Sequence, residues 1–178
     1  MGEFLSTWLS SWRGVLLRPK SFFEDMDVNG GLGEPIGFFS VLLAVNSTVG
    51  LGRMLIMQGV QASNVIQLVL SIVIVGVAGA AVCLLVQLLA RLMDGQGELE
   101  GTVRALAFSS ALNLVFWIPF WGMLPFVHML VLSTLGLAAV HRIGFAKAAV
   151  LALPFPVFFA GVNLFLWAAF RVGAGANG

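Results

Sequence analysis

Long apolar stretches, separated by charges at regular intervals, occupy the sequence between Glu34 and Arg171. A hydrocarbon core excludes charged side chains, and a helix needs about 20 apolar residues to cross it. The pattern therefore predicts an all-α integral membrane protein whose helices cross the bilayer several times. The stretches that contain no Asp, Glu, Lys or Arg are 35–52, 54–90, 105–141 and 148–170.

The lengths of these stretches predict a five-transmembrane-helix bundle. The stretch 105–141 would form a straight helix of roughly 55 Å, which is too long for one crossing. Pro119 and Pro125 lie near its middle and are expected to divide it into a helical hairpin. Pro154 and Pro156 predict a kink or an irregular turn in the first half of the last span. The predicted spans lie near 35–57, 64–90, 103–121, 124–140 and 148–170.

The basic residues are distributed unequally between the two ends of these spans. Of the nine Lys and Arg residues, only Arg53 and Arg171 fall on the outer side when the N-terminus is placed in the cytoplasm. Cytoplasmic segments of membrane proteins are enriched in Lys and Arg, so we predict a cytoplasmic N-terminus and an external C-terminus. The predicted domains are a cytoplasmic segment 1–34, a transmembrane domain 35–171 and a flexible tail 172–178.

The segment 1–34 has its own apolar pattern. Trp8 and Trp12 belong to a helical stripe that predicts an N-terminal amphipathic helix lying in the membrane interface. Pro19 is expected to open a second short helix, in which Phe22 and Phe23 are the apolar anchors. Two interpretations stay open: these five residues anchor the segment on the membrane, or they form a docking surface for a cytosolic protein.

A few polar residues interrupt the predicted spans. Because an unpaired amide in hydrocarbon is costly, these side chains should face the bundle interior. They either join helices by hydrogen bonds or line a polar cavity for a substrate or a lipid headgroup. No acid lies within the spans to pair with a histidine, so a proton relay is not expected. The candidate cluster consists of Asn46, Asn113, His128 and Asn163.

Composition and motifs exclude several function classes. Hydrophobic residues make up 60% and charged residues 10%, and a net charge of +1 argues against a nucleic-acid partner. The sequence contains no HExxH, GxSxG or P-loop motif. His128 and His141 would lie roughly 20 Å apart on one helix and could not share a metal. An Asp/Glu/His constellation can be drawn only from the cytoplasmic loop residues Asp94, Glu98, Glu100 and His141, whose spacing is unspecific, and solvated loop groups are expected there. We predict neither enzyme activity nor a cofactor or metal.

Four local patterns recur together in one family of membrane proteins. They are Pro19 followed by Phe22-Phe23, the glycine-rich segment 95–102 entering 103–109, the prolines Pro119 and Pro125, and the segment 136–142 followed by Lys147-Ala148. Together they cover about residues 13–170. The chain resembles a prokaryotic member of the Yip family, the Rab-interacting five-span membrane proteins.

The resemblance implies five spans and a cytoplasmic N-terminus, in agreement with the charge distribution. Relatives in eukaryotes interact with Rab GTPases and with one another in vesicle traffic, but a segment 1–34 that is mostly interfacial gives no reason to expect a Rab-type role here. The family has no catalytic residues to carry over. Gly95, Gly97 and Gly101 are expected to let the predicted cytoplasmic loop turn back towards the membrane.

The predicted function is that of a non-enzymatic multi-pass protein of a prokaryotic inner membrane, which organises protein partners or lipids in a scaffold-like role. The expected partners are membrane lipids, other membrane proteins or a second copy of the chain. The alternative is a small transporter, channel or lipid-translocating protein, whose polar residues would have to line one continuous cavity.

Overall fold

A computed structural model of the chain describes residues 2–58, 62–115, 123–162 and 164. These residues form helices joined by short links, and no β-strand occurs among them. The helices are α1 Gly2–Leu17, α2 Pro19–Glu24, α3 Gly33–Gln58, α4 Ala62–Leu92, α5 Leu99–Ser109, a 3₁₀ helix Ser110–Val115, α6 Met123–His141 and α7 Phe145–Ala152.

Four helices in the described part of the chain are long and apolar enough to cross a membrane. They correspond to the predicted first, second, fourth and fifth spans, and a helix that continues α7 completes the last of them. The all-helical prediction is therefore confirmed. The candidate spans are Gly33–Gly52, Leu68–Leu92, Leu124–His141 and Phe145–Val162.

The predicted third span, 103–121, takes a different form. The α-helix α5 begins at Leu99 and ends at Ser109, after which the chain tightens into the 3₁₀ helix. The hydroxyls of Ser109 and Ser110 bond to carbonyls of the preceding turn, at 2.6 and 2.5 Å, and such bonds bend helices. Pro119 lies outside the described residues, so the fifth crossing stays a prediction.

The last candidate span is interrupted, as its prolines predict. Regular helix stops at Ala152, a turn occupies Leu153, and helix resumes over 154–162. Pro154 and Pro156 have no N–H to donate to the preceding turn, so the helical hydrogen bonds cannot continue through this point.

Helix α6 lies at the centre of the bundle, where it packs against α2, α5 and α7. Half of its span is buried, against 17% for the spans in α3 and α4. Gly136 permits this packing, because a Cβ there would lie 2.9 Å from the Ala105 Cβ and 3.0 Å from Cε1 of Phe23. The apolar outer faces of α3 and α4 are left for the lipid.

Three links meet at one end of the bundle, which we call the loop end. They are 25–32, between α2 and α3, 93–98, between α4 and α5, and 142–144, between α6 and α7. The N–H of Gln96 donates to the His141 carbonyl at 3.1 Å, and the N–H of Gly31 donates to Oε1 of Glu100 at 2.5 Å. The positive-inside rule predicts that this end faces the cytoplasm.

Candidate functional site

The two tryptophans of the predicted anchor contact the bundle. Nε1 of Trp8 donates to the Phe38 carbonyl at 3.2 Å, and Nε1 of Trp12 donates to the Ala111 carbonyl at 3.1 Å. The two indole rings stack with centroids 6.3 Å apart. Helix α1 is thus held to α3 and to the 3₁₀ helix, and the side of α1 turned away from them carries the exposed residues Ser6, Ser10 and Arg13 as well as Leu17. A role of α1 in the membrane interface stays a prediction. The exposed apolar residues of α1 are Phe4, Leu5, Leu9 and Leu17.

The aromatic pair of α2 is also packed against protein. Pro19 is the first residue of α2, and Phe23, only 2% exposed, enters the core beside α6. The Phe22 ring lies edge-on to Phe108, with centroids 5.1 Å apart. A Cβ on Gly14 would come within 2.8 Å of Phe22, so α1 and α2 approach closely there. Both phenylalanines therefore fasten the N-terminal segment to the bundle.

An ion pair with a buried arginine and a partly exposed glutamate connects this N-terminal segment to α5. The Arg104 side chain is 5% exposed, and its Nη2 donates to Oε2 of Glu34 at 2.8 Å. Its Nη1 donates to the Gly31 carbonyl at 2.6 Å. The other Glu34 oxygen accepts a hydrogen bond from the Ser11 hydroxyl at 3.0 Å. One guanidinium thus joins α1, the 25–32 link, α3 and α5, in what we call the Arg104 network.

The Arg104 network leaves part of its donor capacity unused. The Nε atom of Arg104 is buried, and no described residue accepts a hydrogen bond from it. The guanidinium carbon lies 5.9 Å from the centroid of the Phe108 ring, a separation at which a cation–π attraction operates. A guanidinium presents five N–H donors, and burial makes an unmet donor costly. The unmet donor is enclosed by protein, and the Phe108 ring is the group that partly compensates the charge on that side.

An open cleft of about 410 Å³ lies directly over the Arg104 network at the loop end. Its walls come from α1, α2, the 25–32 link, α3 and α5, so the cleft exists only because the N-terminal segment is docked. Three carboxylates and two guanidiniums line it, together with aromatic and small residues. The lining residues are Gly14, Arg18, Ser21, Phe22, Asp25, Met26, Asp27, Glu34, Arg104 and Phe108.

A second polar cluster, which we call the His141 cluster, joins α4, α5 and α6. His141 and Thr102 are both fully buried, with Nε2 of His141 lying 2.8 Å from Oγ1 of Thr102. The Thr102 hydroxyl also lies 2.6 Å from Oε1 of Gln87. The Gln87 amide nitrogen donates to the Gly97 carbonyl at 3.0 Å. The cluster therefore holds the link 93–98 against the ends of three helices.

The direction of each hydrogen bond in the His141 cluster follows from one carbonyl. The Gly97 oxygen can only accept, so the Gln87 amide must turn its nitrogen towards Gly97 and its oxygen towards Thr102. The Thr102 hydroxyl then donates to Gln87, and Nε2–H of His141 donates to Thr102. In the neutral imidazole this leaves the lone pair on Nδ1, which has no hydrogen-bond partner among the described residues. The hydrogen bonds thus run from His141 through Thr102 and Gln87 to the Gly97 carbonyl.

The three predicted loop glycines lie against this cluster. A Cβ on Gly95 would meet the Ala90 carbonyl oxygen at 2.8 Å, and a Cβ on Gly101 would meet Cγ1 of Val140 at 2.7 Å. Gly97 is the most crowded, with Cγ1 of Val140 at 2.6 Å. The left-handed turn in the link is made instead by Asp94, at φ 64°. Close packing is therefore the reason for glycine at these positions.

Replacing Thr102 with valine is expected to lower the free energy of unfolding by about 1–3 kcal/mol, because it leaves buried polar atoms of Gln87 and His141 unpaired. Valine keeps the shape of threonine, so packing changes little. Titration with a denaturing detergent, followed by tryptophan fluorescence, measures the loss. Thr102→Ser keeps the hydroxyl and should recover most of it. A valine variant as stable as the wild type would show that water already satisfies the cluster.

The predicted intramembrane polar residues are not joined to one another by any hydrogen bond among the described residues. The Asn46 side chain donates to the Leu42 carbonyl of its own helix, at 2.9 Å. Asn113 is 7% exposed, and its Oδ1 has no partner. Nε2 of His128 is likewise buried without a partner. Asn163 lies outside the described residues. A role as helix–helix contacts or as a cavity lining stays a prediction.

Sequence reasoning did not find the Arg104 network or the His141 cluster. It assigned His141 to solvated loop groups, and the structure shows this to be wrong because the side chain is 0% exposed. One signal was present: Arg104 is flanked by apolar residues within a segment of helical periodicity, and His141 directly ends an apolar run. Within the described ranges, no three His, Cys, Asp or Glu side chains come together in a way that could hold a metal ion.

Comparison with known proteins identifies the family. A model of the Yip1 domain matches residues 13–168, which is most of the chain. Neither a curated protein nor a solved structure matches. The matched range begins within α1 and includes the residues of the Arg104 network from Gly31 onwards, the cleft and the His141 cluster. The resemblance found in the glycine and proline patterns is thereby confirmed, and the chain belongs to the Yip1 domain family.

Proposed function

We propose that this protein is a non-enzymatic multi-pass protein of a prokaryotic inner membrane, which organises protein partners or lipids at its loop end. In this proposal the loop end and the N-terminus face the cytoplasm. The observation that carries it is the open cleft of about 410 Å³, because the cleft is assembled by a docked N-terminal segment above the ion pair of Arg104 and Glu34. A fixed, charged and open surface is suited to binding a partner.

Exposed apolar residues of α1 support a binding role next to the membrane. Phe4, Leu5 and Leu9 are between 43% and 50% exposed, and Leu17 is 77% exposed. Half-exposed apolar side chains beside the docked side of a helix, with polar residues beyond them, would rest in the lipid interface. The cleft would then open at the level of the lipid headgroups, where membrane lipids and the soluble parts of membrane proteins are both available.

Native mass spectrometry of the protein, extracted gently from its own membrane, tests this function. The expected result is a defined lipid or a stoichiometric polypeptide that stays bound at detergent concentrations where loosely associated lipid is lost. A protein that retains neither, while its unfolding temperature is unchanged from that in the membrane, would contradict the proposal.

A second candidate, translocation of a small molecule or lipid, is favoured by the unpartnered Oδ1 of Asn113 and Nε2 of His128. Buried polar atoms without partners mark sites that water or a polar substrate would occupy. If this function holds, vesicles containing the protein will release trapped carboxyfluorescein, and Asn113→Leu and His128→Leu will stop the release. Asn46→Leu is the matched control, because Asn46 bonds within its own helix. Vesicles as tight as protein-free ones would exclude this candidate.

A further inference from the structure

Five charged side chains line the cleft, of which two form an ion pair with each other and three form no ion pair among the described residues. Arg104 and Glu34 neutralise each other at 2.8 Å. Arg18, Asp25 and Asp27 remain, and all three are exposed. Among the described residues, no ion pair joins Arg18 to either aspartate. The cleft therefore offers the Arg18 guanidinium and the Asp25 carboxylate to anything that enters it, together with the Asp27 carboxylate, whose Oδ1 already accepts from the Asn29 N–H at 3.0 Å.

The floor of the cleft is a charge-balanced pair beside an aromatic wall. Arg104 is 4% exposed, and its guanidinium is engaged by Glu34 and by the Gly31 carbonyl. Phe22 and Phe108 stand edge to face beside it. In such a partly apolar setting, charge interactions are stronger than in open water. An anionic group that enters the cleft would therefore find its cation in Arg18.

The ligand that satisfies both signs is a zwitterion. A purely anionic group would face the carboxylates of Asp25 and Asp27, and a purely cationic one would leave Arg18 unmet. A phosphate with a primary ammonium a few atoms away would place its phosphate towards Arg18 and its ammonium towards the aspartates. We propose that the cleft binds a phosphoethanolamine-type headgroup. This inference rests on the proposed function and names a lipid as the molecule that the protein organises.

The neighbourhood of the cleft favours a membrane lipid as the source of that headgroup. Leu17 directly precedes Arg18 and is 77% exposed. An acyl chain could lie against Leu17 while the headgroup occupies the cleft. The cleft volume of about 410 Å³ falls within the range of roughly 300–1,000 Å³ usual for small-ligand sites.

Lipid titration of the purified full-length protein tests the site. Native mass spectrometry would follow retention of phosphatidylethanolamine, phosphatidylglycerol and phosphatidylcholine by the wild type and by variants. The expected result is retention of phosphatidylethanolamine over phosphatidylglycerol by roughly tenfold, the factor typical of one hydrogen bond to a charged group. Asp25→Asn should abolish this preference, and Arg18→Gln should weaken retention of all three lipids. Both residues are exposed, so neither change should affect folding.

Lys20→Gln is the matched control, because Lys20 is an equally exposed cation on α2 that does not line the cleft. It should leave the lipid preference unchanged. Soluble phosphoethanolamine separates the two sources of the headgroup: displacement of bound lipid at millimolar concentration supports the lipid site. Tight binding of the soluble compound with no retention of lipid would overturn it.

Two further outcomes would overturn the inference. One is equal retention of phosphatidylethanolamine and phosphatidylglycerol by the wild type. The other is a stoichiometric polypeptide that photocrosslinks to a probe at Ser21, inside the cleft, in place of lipid. The second result would leave the proposed organising function intact, because a protein partner would then occupy the site. Loss of every lipid and every polypeptide would instead count against both.

Discussion

Replacing Glu34 with alanine is expected to lower the free energy of unfolding by about 3 kcal/mol, because it strands the Arg104 guanidinium inside the protein. The Arg104 side chain is 5% exposed, and Glu34 is its only carboxylate partner among the described residues. Removing one member of a buried pair costs about 3–5 kcal/mol. Glu34 itself is 40% exposed, which places the expected loss at the lower end of that range. Detergent-induced unfolding followed by tryptophan fluorescence measures it.

A double variant separates the stranded charge from lost packing. In Glu34→Ala with Arg104→Met, no charge remains buried and the methionine fills much of the space beside Phe108. Replacement of a buried pair by apolar residues is often neutral, so the double variant should be more stable than Glu34→Ala alone. If the double variant instead loses as much free energy of unfolding as the two single variants together, Arg104 stabilises the fold through its packing contacts and not through its charge.

Glu24→Ala is the matched control for this prediction. It breaks the Lys20–Glu24 pair, whose atoms are 3.9 Å apart and whose side chains are 78% and 58% exposed. Exposed pairs contribute about 0–1 kcal/mol, so little change is expected. If Glu24→Ala and Glu34→Ala lower the free energy of unfolding by the same amount, water must already hydrate Arg104 in the folded protein.

Replacing Gly97 with alanine is expected to lower the free energy of unfolding by about 1–3 kcal/mol, the usual cost of overpacking. The added Cβ would lie 2.6 Å from Cγ1 and 2.7 Å from the carbonyl oxygen of Val140, and 2.8 Å from Nδ1 of His141. Since one of these atoms belongs to the backbone, the clash cannot be relieved by a rotamer change alone. The link 93–98 must move, and the hydrogen bond from Gln87 to Gly97 would lengthen.

The open glycines of α4 are the matched controls. A Cβ on Gly76 or Gly79 would meet nothing within 4 Å. Alanine also has a higher helix propensity than glycine, so Gly76→Ala and Gly79→Ala should be neutral or slightly stabilising. Thermal unfolding in detergent micelles compares the three variants directly. If the Gly97→Ala protein unfolds at the same temperature as the Gly76→Ala protein, the link 93–98 tolerates displacement. The His141 cluster would then not be a rigid part of the fold.

Much of the fold could be predicted from the apolar stretches alone. Charge-free runs marked four candidate spans, and Pro154 and Pro156 marked the interruption now seen at Leu153. Hydrocarbon imposes this relation, because a crossing segment must be both apolar and helical. The fifth crossing was harder to assess, because the run from Ala105 onwards passes into a 3₁₀ helix at Ser110 and reaches residues outside the described part.

The N-terminal segment shows why contacts are harder to predict than elements. Trp8, Trp12, Phe22 and Phe23 have the spacing of an amphipathic helix, and that spacing is the same whether the apolar side meets lipid or protein. The structure shows all four packed against protein. Hydrophobicity is non-directional, so it selects burial without selecting the partner.

The sequence by itself determined that this is a helical, charge-poor membrane protein of the Yip1 domain family. Helical membrane segments and family membership can both be recognised from local composition and residue spacing. Only the tertiary structure decided which polar groups meet. Arg104 and Glu34 are separated by 70 residues, and Thr102 and His141 by 39. The cleft and the two buried networks depend on such long-range pairs, whose formation requires helices from distant parts of the chain to pack side by side.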